Sequence, residues 1–159
     1  MCLLVDARGF VLLQERDSEA PRSPDVWGMV GGHVEDGESF DEAVYREVAE
    51  ETGLDLVPGS LSVWRDEVFS YRDPAEDFHF HVYVGHSAAT DADIVVGEGR
   101  QIVFVDPAEV ESLPKSQSCA YFVTEFLADP AYVALATAPG SSRLSSSDSA
   151  MPNASSTQA

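Results

Sequence analysis

The sequence predicts an α/β fold, and three observations lead to that prediction. Several apolar runs of strand length are separated by turn-forming residues. One of the later runs alternates between apolar and polar positions, and one central segment carries the start and stop signals of a helix. The chain has 159 residues, of which 44% are hydrophobic. A chain of this size and composition can bury one core, so we expect a single domain.

The first two predicted strands form a β-hairpin. Residues Cys2 to Asp6 and Phe10 to Gln14 are apolar runs, and Gly9 supplies the turn between them. A strand that starts at residue two is abrupt. Either this strand is short, or the native start of the protein lies upstream of Met1.

The helix is predicted over Phe40 to Thr52. It follows a segment, Val26 to Gly32, whose glycines let the backbone approach a ligand or a neighbouring strand closely. Ser39 and Glu42 have the spacing of a capping box, and Gly53 stands where a helix C-terminus prefers glycine. These local signals define both ends of the helix.

Two further strands are predicted, at Leu61 to Tyr71 and at Asp77 to His86. The second alternates, with His79, His81 and Tyr83 on one side and four apolar residues on the other. The apolar side consists of Phe78, Phe80, Val82 and Val84. A half-buried strand is the favoured interpretation, and a pocket lined by the more polar side is the alternative. Two histidines at this spacing are more often surface residues.

The C-terminal part of the predicted domain begins with a strand, Gln101 to Val105. A short helical turn over Pro107 to Leu113 and a helix over Ser118 to Ala128, ending before an Asp-Pro pair, follow it. The composition then shifts to serine, glycine, proline, asparagine and alanine. We therefore expect a domain over residues 1–137 and a disordered Ser-rich tail over residues 138–159.

The charge of the chain limits its partners. With 28 acidic and 9 basic residues, the net charge is −19. This argues against binding to a nucleic acid polymer, because neutralising phosphates requires a basic surface. A phosphorylated small molecule remains possible if bound divalent cations or a few well-placed arginines meet its charge locally.

The sequence also favours a cytoplasmic protein. Cys2 and Cys119 are too few for a disulfide framework, and the N-terminal apolar run is shorter than that of a signal peptide. No stretch approaches the roughly 20 apolar residues of a membrane span. No membrane association is expected, and the oligomeric state is not predicted.

The predicted helix carries an acidic face. Glu47, Glu50 and Glu51 lie at i, i+3 and i+4, so the three carboxylates share one side. Like charges at this spacing repel, and acidic groups near the C-terminal end oppose the helix dipole, each at about 0.2 to 1 kcal/mol. A bound divalent cation would turn both penalties into attraction. A solvated acidic face is the alternative explanation for such a run of charge.

The wider spacing favours the metal-binding interpretation. Gly32 is followed after five residues by Glu38, and after seven more by the run Arg46 to Leu54. This pattern resembles the signature of the Nudix family of hydrolases without a mismatch. The resemblance is strict over Gly32 to Leu54 and looser over Cys2 to Ala128.

The resemblance implies an α/β/α sandwich with a mixed β-sheet and hydrolysis of a nucleoside diphosphate linked to another group. It also implies that the Gly31 carbonyl and the Glu50 and Glu51 carboxylates hold Mg²⁺ or Mn²⁺, and that Glu47 is a further ligand or a catalytic base. Oxygen ligands of this kind suit such ions. The bound metal would neutralise the diphosphate oxygens and lower the pKa of a bound water, which could then attack phosphorus in line.

Other positions match family residues with supporting roles. Arg46 resembles a structural arginine that pairs with Glu38 or with a motif carboxylate. Gly32 belongs to the motif. Gly37, in the loop, and Gly53, at the helix end, are interpreted as positions where the backbone conformation calls for glycine. The general base in the family is often a glutamate before a late strand. Glu98 matches this description, with an exposed surface role as the alternative.

The motif does not identify the substrate, which depends on residues outside it. A MutT-like nucleoside triphosphate pyrophosphohydrolase is the leading hypothesis. The alternatives are a hydrolase of dinucleoside polyphosphates or nucleotide sugars and a non-catalytic nucleotide-sensing module. Tyr71 falls near a tyrosine of family members that cleave dinucleoside polyphosphates. Four aromatic residues could stack a nucleobase or could belong to the core. They are Trp27, Phe78, Phe80 and Tyr83.

Overall fold

A mixed β-sheet organises the fold. The computed structural model describes residues 1–72 and 75–138, and within them the sheet has six strands. The strands are β1 (Cys2–Val5), β2 (Val11–Glu15), β3 (Trp27–Gly28), β4 (Ser62–Arg72), β5 (Ala75–His86) and β6 (Gln101–Val105). The helices are α1 (Phe40–Thr52), α2 (Pro107–Val110), α3 (Gln117–Ala128) and α4 (Pro130–Ala136), with a short 3-10 turn at Asp91–Asp93.

The strand pairing explains why the sheet is mixed. Strands β1 and β5 run parallel, with Cys2 opposite Tyr83 and Val5 opposite His86. All other pairings are antiparallel: β1 with β2, β2 with β3 and β6, and β4 with β5. The predicted hairpin of β1 and β2 is confirmed, with Gly9 at a positive φ of 84° in its turn.

Two cores lie on opposite faces of the sheet, because alternate residues of each strand point to opposite sides. One core joins strand residues such as Leu3 to Phe122 and Phe126 of α3. The other joins neighbouring strand residues such as Leu4 to Val48 of α1. Helices therefore cover both faces, which confirms the α/β/α sandwich.

The alternation predicted for β5 is confirmed on both faces. Phe80 and Val82 belong to the core under α3, whereas Tyr83 is buried in the core under α1. On the more polar side, exposure decreases along the strand: His79 is exposed, His81 is partly buried and Tyr83 is buried. The strand is thus exposed at its first three residues, half-buried in the middle, and buried on both faces over Val82 to Gly85.

Helix α1 has the bounds that the sequence predicts. The Ser39 hydroxyl accepts from the backbone N–H of Glu42 at 3.2 Å, and the Glu42 carboxylate accepts from the N–H of Ser39 at 2.8 Å. Gly53 ends the helix at φ 71°, where its N–H donates to the Ala49 carbonyl. The backbone groups at both ends are hydrogen-bonded locally, which is why the sequence predicts where the helix begins and ends.

The C-terminal part shows one element that the sequence prediction omits. Helix α4 begins directly after α3, with the Asp129 side chain accepting from Ala131 N–H and with Pro130 at the first helical position. The Tyr132 hydroxyl donates to the Gly9 carbonyl at 2.8 Å, which ties α4 to the β1–β2 turn. Helix α2 is also shorter than predicted and ends at Val110.

The described elements end at Ala136. The predicted disordered tail lies outside the described residues, except for residue 138, so it stays a prediction, as does the boundary at residue 137. In the described part of the chain, no helix has the length and apolar character needed to cross a membrane.

Candidate active site

The candidate site forms where three segments meet: the C-terminal half of α1, the glycines after β3, and the loop before β6. Glu51 is the most deeply buried carboxylate of α1, with 7% of its surface exposed. The backbone N–H of Gly31 donates to its Oε2 atom at 3.1 Å. Gly31 has a positive φ of 119°, a conformation that favours glycine.

Glu47 lies against Gly32. A Cβ atom added to Gly32 would come within 2.5 Å of Glu47 Oε1, so a larger residue here would displace the carboxylate. The Glu47 side chain is mostly buried and also accepts from Arg46 Nη1 at 2.9 Å. The motif glycine therefore provides the space in which this carboxylate lies.

Arg46 organises the acidic groups around it. Its Nε and Nη2 atoms donate to the two carboxylate oxygens of Glu38 at 2.8 and 2.9 Å, and Nη2 also donates to the His33 carbonyl. Its Nη1 atom donates to Glu47 and, at 3.1 Å, to Glu50. The paired guanidinium holds the pKa of Glu38 at about 2. Arg46 thus links the loop before α1 to two carboxylates of the helix.

The loop before β6 brings Glu98 to the same place. Gly97 donates its N–H to the Glu51 carbonyl at 2.8 Å, and a Cβ atom at Gly97 would come within 2.0 Å of the Glu50 carbonyl. The Glu98 carbonyl accepts from the Gln14 side chain at 3.2 Å. The glycine lets the loop cross the end of α1 closely enough for Glu98 to face the motif.

A cavity of about 430 Å³ joins most of these residues. Gly31, Gly32, Glu47, Glu51 and Glu98 all line it. The Glu50 side chain is turned away by comparison, since it is 62% exposed and is paired with Arg46. The structure therefore brings together four of the predicted metal and catalytic residues, together with Gly32, and leaves Glu50 at the rim.

Burial in this cavity raises the pKa of Glu51 to about 7. Burial is the main cause, the hydrogen bond from Gly31 offsets part of it, and the negative charges of Glu98 and Glu47 add to it. A buried carboxylate facing two others is an environment that a divalent cation would stabilise. The oxygen donors present fit a hard cation such as Mg²⁺ or Mn²⁺.

Two arginines of the cavity are missing from the sequence prediction. Arg16, near the end of β2, and Arg22, in the following loop, both line it. Arg16 Nε donates to the Arg22 carbonyl at 3.1 Å, and the Arg22 guanidinium lies 4.6 Å from the centre of the Phe78 ring. They place two guanidinium groups beside the cavity, and the Arg22 guanidinium is also paired with Glu76 at 2.6 Å. In the sequence, the only sign of them is that an anionic ligand would need some of the few basic residues.

The predicted aromatic candidates separate into two groups. Phe78 and Phe80 line this cavity, and Phe80 is also part of the core under α3. Trp27 and Tyr83 are buried in the cores and do not line it. Tyr71 also lines the cavity, and its hydroxyl donates to Ser118 Oγ at 2.8 Å. The aromatic surface of the cavity therefore comes from the paired strands β4 and β5.

Known proteins resemble this chain over most of the described region. A family model described as NUDIX domain matches residues 1–126. The nucleoside triphosphatase NudI of Salmonella agona (strain SL483) is 30% identical over 116 residues, which span 69% of this chain and 82% of that protein.

Two solved structures extend the similarity. The MutT protein from Methanosarcina mazei Go1 is 25% identical, with a TM-score of 0.61 and coverage of 75% of this chain and 83% of that one. The E. coli dihydroneopterin triphosphate pyrophosphohydrolase is 26% identical, with a TM-score of 0.58 and coverage of 80% and 93%. The similarity therefore includes both the fold and the segment that carries the acidic motif.

Proposed function

The chain belongs to the Nudix family and is a hydrolase acting on phosphorus-containing anhydrides, and from this premise we propose that it is a nucleoside triphosphate pyrophosphohydrolase of the MutT type. The observation that carries the proposal is the cavity in which Glu47, Glu51 and Glu98 face Arg16 and Arg22. Carboxylates and guanidinium groups in one cavity suit a polyphosphate that brings divalent cations with it. The names of the similar proteins support a triphosphate as the substrate.

Mg²⁺ or Mn²⁺ would be held by the Gly31 carbonyl and by Glu47 and Glu51, with Glu50 joining once its carboxylate leaves Arg46. Such a cation, when bound, neutralises phosphate oxygens and lowers the pKa of a coordinated water. Holding it also removes the repulsion among the buried carboxylates. The chain's own residues provide everything else in the reaction.

Glu98 is proposed as the general base that takes the proton from the attacking water, with Glu47 as the alternative base. Both line the cavity, and the Glu98 loop is fixed by the Gly97 hydrogen bond to α1. Arg16 and Arg22 bind the phosphates, and Phe78 and Tyr71 offer apolar surface for the base or sugar. Positioning and charge neutralisation carry most of phosphoryl-group chemistry, so these contacts support the proposed activity.

The test is a substrate panel with the purified chain and Mg²⁺. We expect a nucleoside triphosphate to yield the monophosphate and pyrophosphate, and chelation of the metal to abolish turnover. Turnover of a dinucleoside polyphosphate or a nucleotide sugar, with none of any triphosphate, would contradict the proposed substrate class. Tight binding of one nucleotide without turnover of any compound would instead indicate a sensing module.

Variants separate the two candidate bases. Glu98→Gln should lower kcat by roughly 100-fold or more while leaving substrate binding nearly unchanged, because a general base typically contributes 10²- to 10⁴-fold. Glu111→Gln is the matched control, since Glu111 follows α2 on the exposed surface. If Glu98→Gln keeps full turnover, and Glu47→Gln loses turnover while its affinity for Mg²⁺ stays unchanged, Glu47 is the base.

A further inference from the structure

A second group of metal-ligating side chains lies on the β4–β5 ribbon, on different elements from the α1 carboxylates. Asp66 of β4 and His79 and His81 of β5 place one ligand atom each within 4.8 Å of one another. The His81 Nε2 atom lies 3.2 Å from Asp66 Oδ1, and His79 Nε2 contacts the same oxygen. One carboxylate oxygen thus faces two imidazole nitrogens.

The strand register explains this convergence. Asp66 is directly opposite His81 in the antiparallel pair, and His79 is its diagonal neighbour on the same face. Side chains two residues apart on a strand point to the same side, so both imidazoles project together. The group is therefore built on two paired strands, which hold it more rigidly than a loop would.

Phe40, the first residue of α1, further restricts the histidines. Its ring stacks on His81 with centroids 3.6 Å apart and planes at 12°, and it meets His79 edge-on at 5.8 Å. The stacking limits rotation of the His81 ring while its Nε2 atom stays directed at Asp66. Asp66 itself is 54% exposed, so solvent ions reach the group directly.

We propose that Asp66, His79 and His81 form a second metal site, which takes a transition-type divalent cation such as Zn²⁺. Two imidazoles and one carboxylate are a ligand set for zinc and its neighbours, whereas Mg²⁺ prefers oxygen alone. Bonds of about 2.0 to 2.1 Å bring tetrahedral ligand atoms about 3.3 Å apart. The three ligand atoms lie within 4.8 Å of one another, and His81 Nε2 is 3.2 Å from Asp66 Oδ1, so the group is close to that spacing.

Three protein ligands leave one tetrahedral position open for water or for an oxygen of a bound molecule. His79 and His81 line a cavity of about 260 Å³, and Gly32 and Glu47 line the same cavity. The site therefore joins β4 to β5 at the border of the space next to the α1 carboxylates. Its metal preference distinguishes it from the oxygen-only site on α1.

The test is a Zn²⁺ titration of the full chain by calorimetry in excess Mg²⁺, which occupies the α1 carboxylates. We expect one Zn²⁺ per chain. The affinity for Zn²⁺ should fall in each of the variants His79→Ala, His81→Ala and Asp66→Asn. Loss of a supporting group costs a metal site roughly 10- to 100-fold in affinity, and loss of a ligand should cost at least as much. His33→Ala is the matched control, because His33 is exposed and is not part of the group.

Co²⁺ absorption gives a second readout that does not depend on activity. Visible bands that disappear in His79→Ala and persist in Glu50→Gln/Glu51→Gln would support the site. Zn²⁺ binding that is lost only in the Glu50/Glu51 variant, or that is equal in all variants, would overturn it. Asp66→Asn, at an exposed position, covers the case in which a histidine variant does not fold.

Discussion

At the scale of single residues, two glycines decide how closely the backbone approaches α1. Gly32 makes room for the Glu47 carboxylate, and Gly97 makes room for the Glu50 carbonyl. The first neighbour is the end of a flexible side chain, whereas the second is backbone. The same substitution should therefore have different consequences at the two positions.

Gly32→Ala should reduce activity much more than stability. The new methyl group would push the Glu47 carboxylate out of place, and a displacement of about 1 Å in an active site can cost about 100-fold in rate. We expect kcat/KM to fall by roughly 10- to 100-fold with a small change in melting temperature. Gly97→Ala, in contrast, should lower both, because the helix backbone cannot move aside.

A double-variant measurement checks the cause. In a Glu47→Ala background the carboxylate that clashes with the new methyl group is absent, so adding Gly32→Ala should cost little further activity. If it costs as much as in the wild-type chain, Gly32 acts through something other than Glu47.

The raised pKa of Glu51 predicts a pH dependence of stability in metal-free protein. The pKa is about 7 in the folded protein against an ordinary value of 4.5, so the folded state holds this proton more tightly than the unfolded state. The contribution is therefore fully present below pH 4.5 and is lost as the pH rises through about 7. The shift corresponds to a loss of roughly 3 kcal/mol in the free energy of unfolding.

Urea unfolding with a chelator present, at pH values from about 4 to about 8, measures this effect. Glu51→Gln is the control, because the amide does not titrate and should flatten the curve over this range. An equally steep decline in the Gln variant would assign the dependence to other groups. Saturating Mg²⁺ should reverse the decline, since the cation prefers the ionised carboxylate.

At the scale of elements, Arg46 connects the loop before α1 to the helix. Its guanidinium reaches Glu38, the His33 carbonyl and two helix carboxylates at once. Lysine has the same charge but no planar fork, so it cannot make these contacts together. The arginine is thus a positioning residue for Glu47 and Glu50.

Arg46→Lys should lower kcat/KM and the apparent affinity for Mg²⁺ by roughly tenfold or more, as replacement of a supporting group does at other metal sites. The melting temperature should also fall, because the loop loses its attachment to α1. Arg65→Lys is the matched control, since Arg65 makes a long ion pair of 3.7 Å with Asp129 and lies over the Trp64 ring, away from the α1 carboxylates. Unchanged Mg²⁺ affinity in Arg46→Lys would contradict the positioning role.

The elements also show what local sequence can and cannot predict. Helix α1 is predicted to its terminal residues because its capping box and Gly53 are signals within the element. Helix α4 is not predicted, because an Asp-Pro pair ends one helix and starts the next with equal local plausibility. Arg16 and Arg22 are missed for a related reason. Only the tertiary arrangement of their loop against β5 brings them to the cavity.

At the scale of the whole molecule, the fold carries a large excess of negative charge. The net charge is −19, and the carboxylates of α1 add their repulsion at one place. Excess negative charge destabilises a compact state, and general salt screens it. A specific cation site should stabilise the fold in a way that general screening does not.

MgCl₂ should therefore raise the free energy of unfolding more than NaCl at the same ionic strength. A cation that binds only the folded state adds about 2.7 kcal/mol at 100 times its dissociation constant. The variant Glu50→Gln/Glu51→Gln should respond equally to both salts, because only screening remains. Glu109→Gln/Glu111→Gln removes the same charge from α2 and the residue after it, and it should keep the extra response to Mg²⁺. If the two double variants behave alike, net charge explains the stabilisation, and the α1 carboxylates are not a cation site.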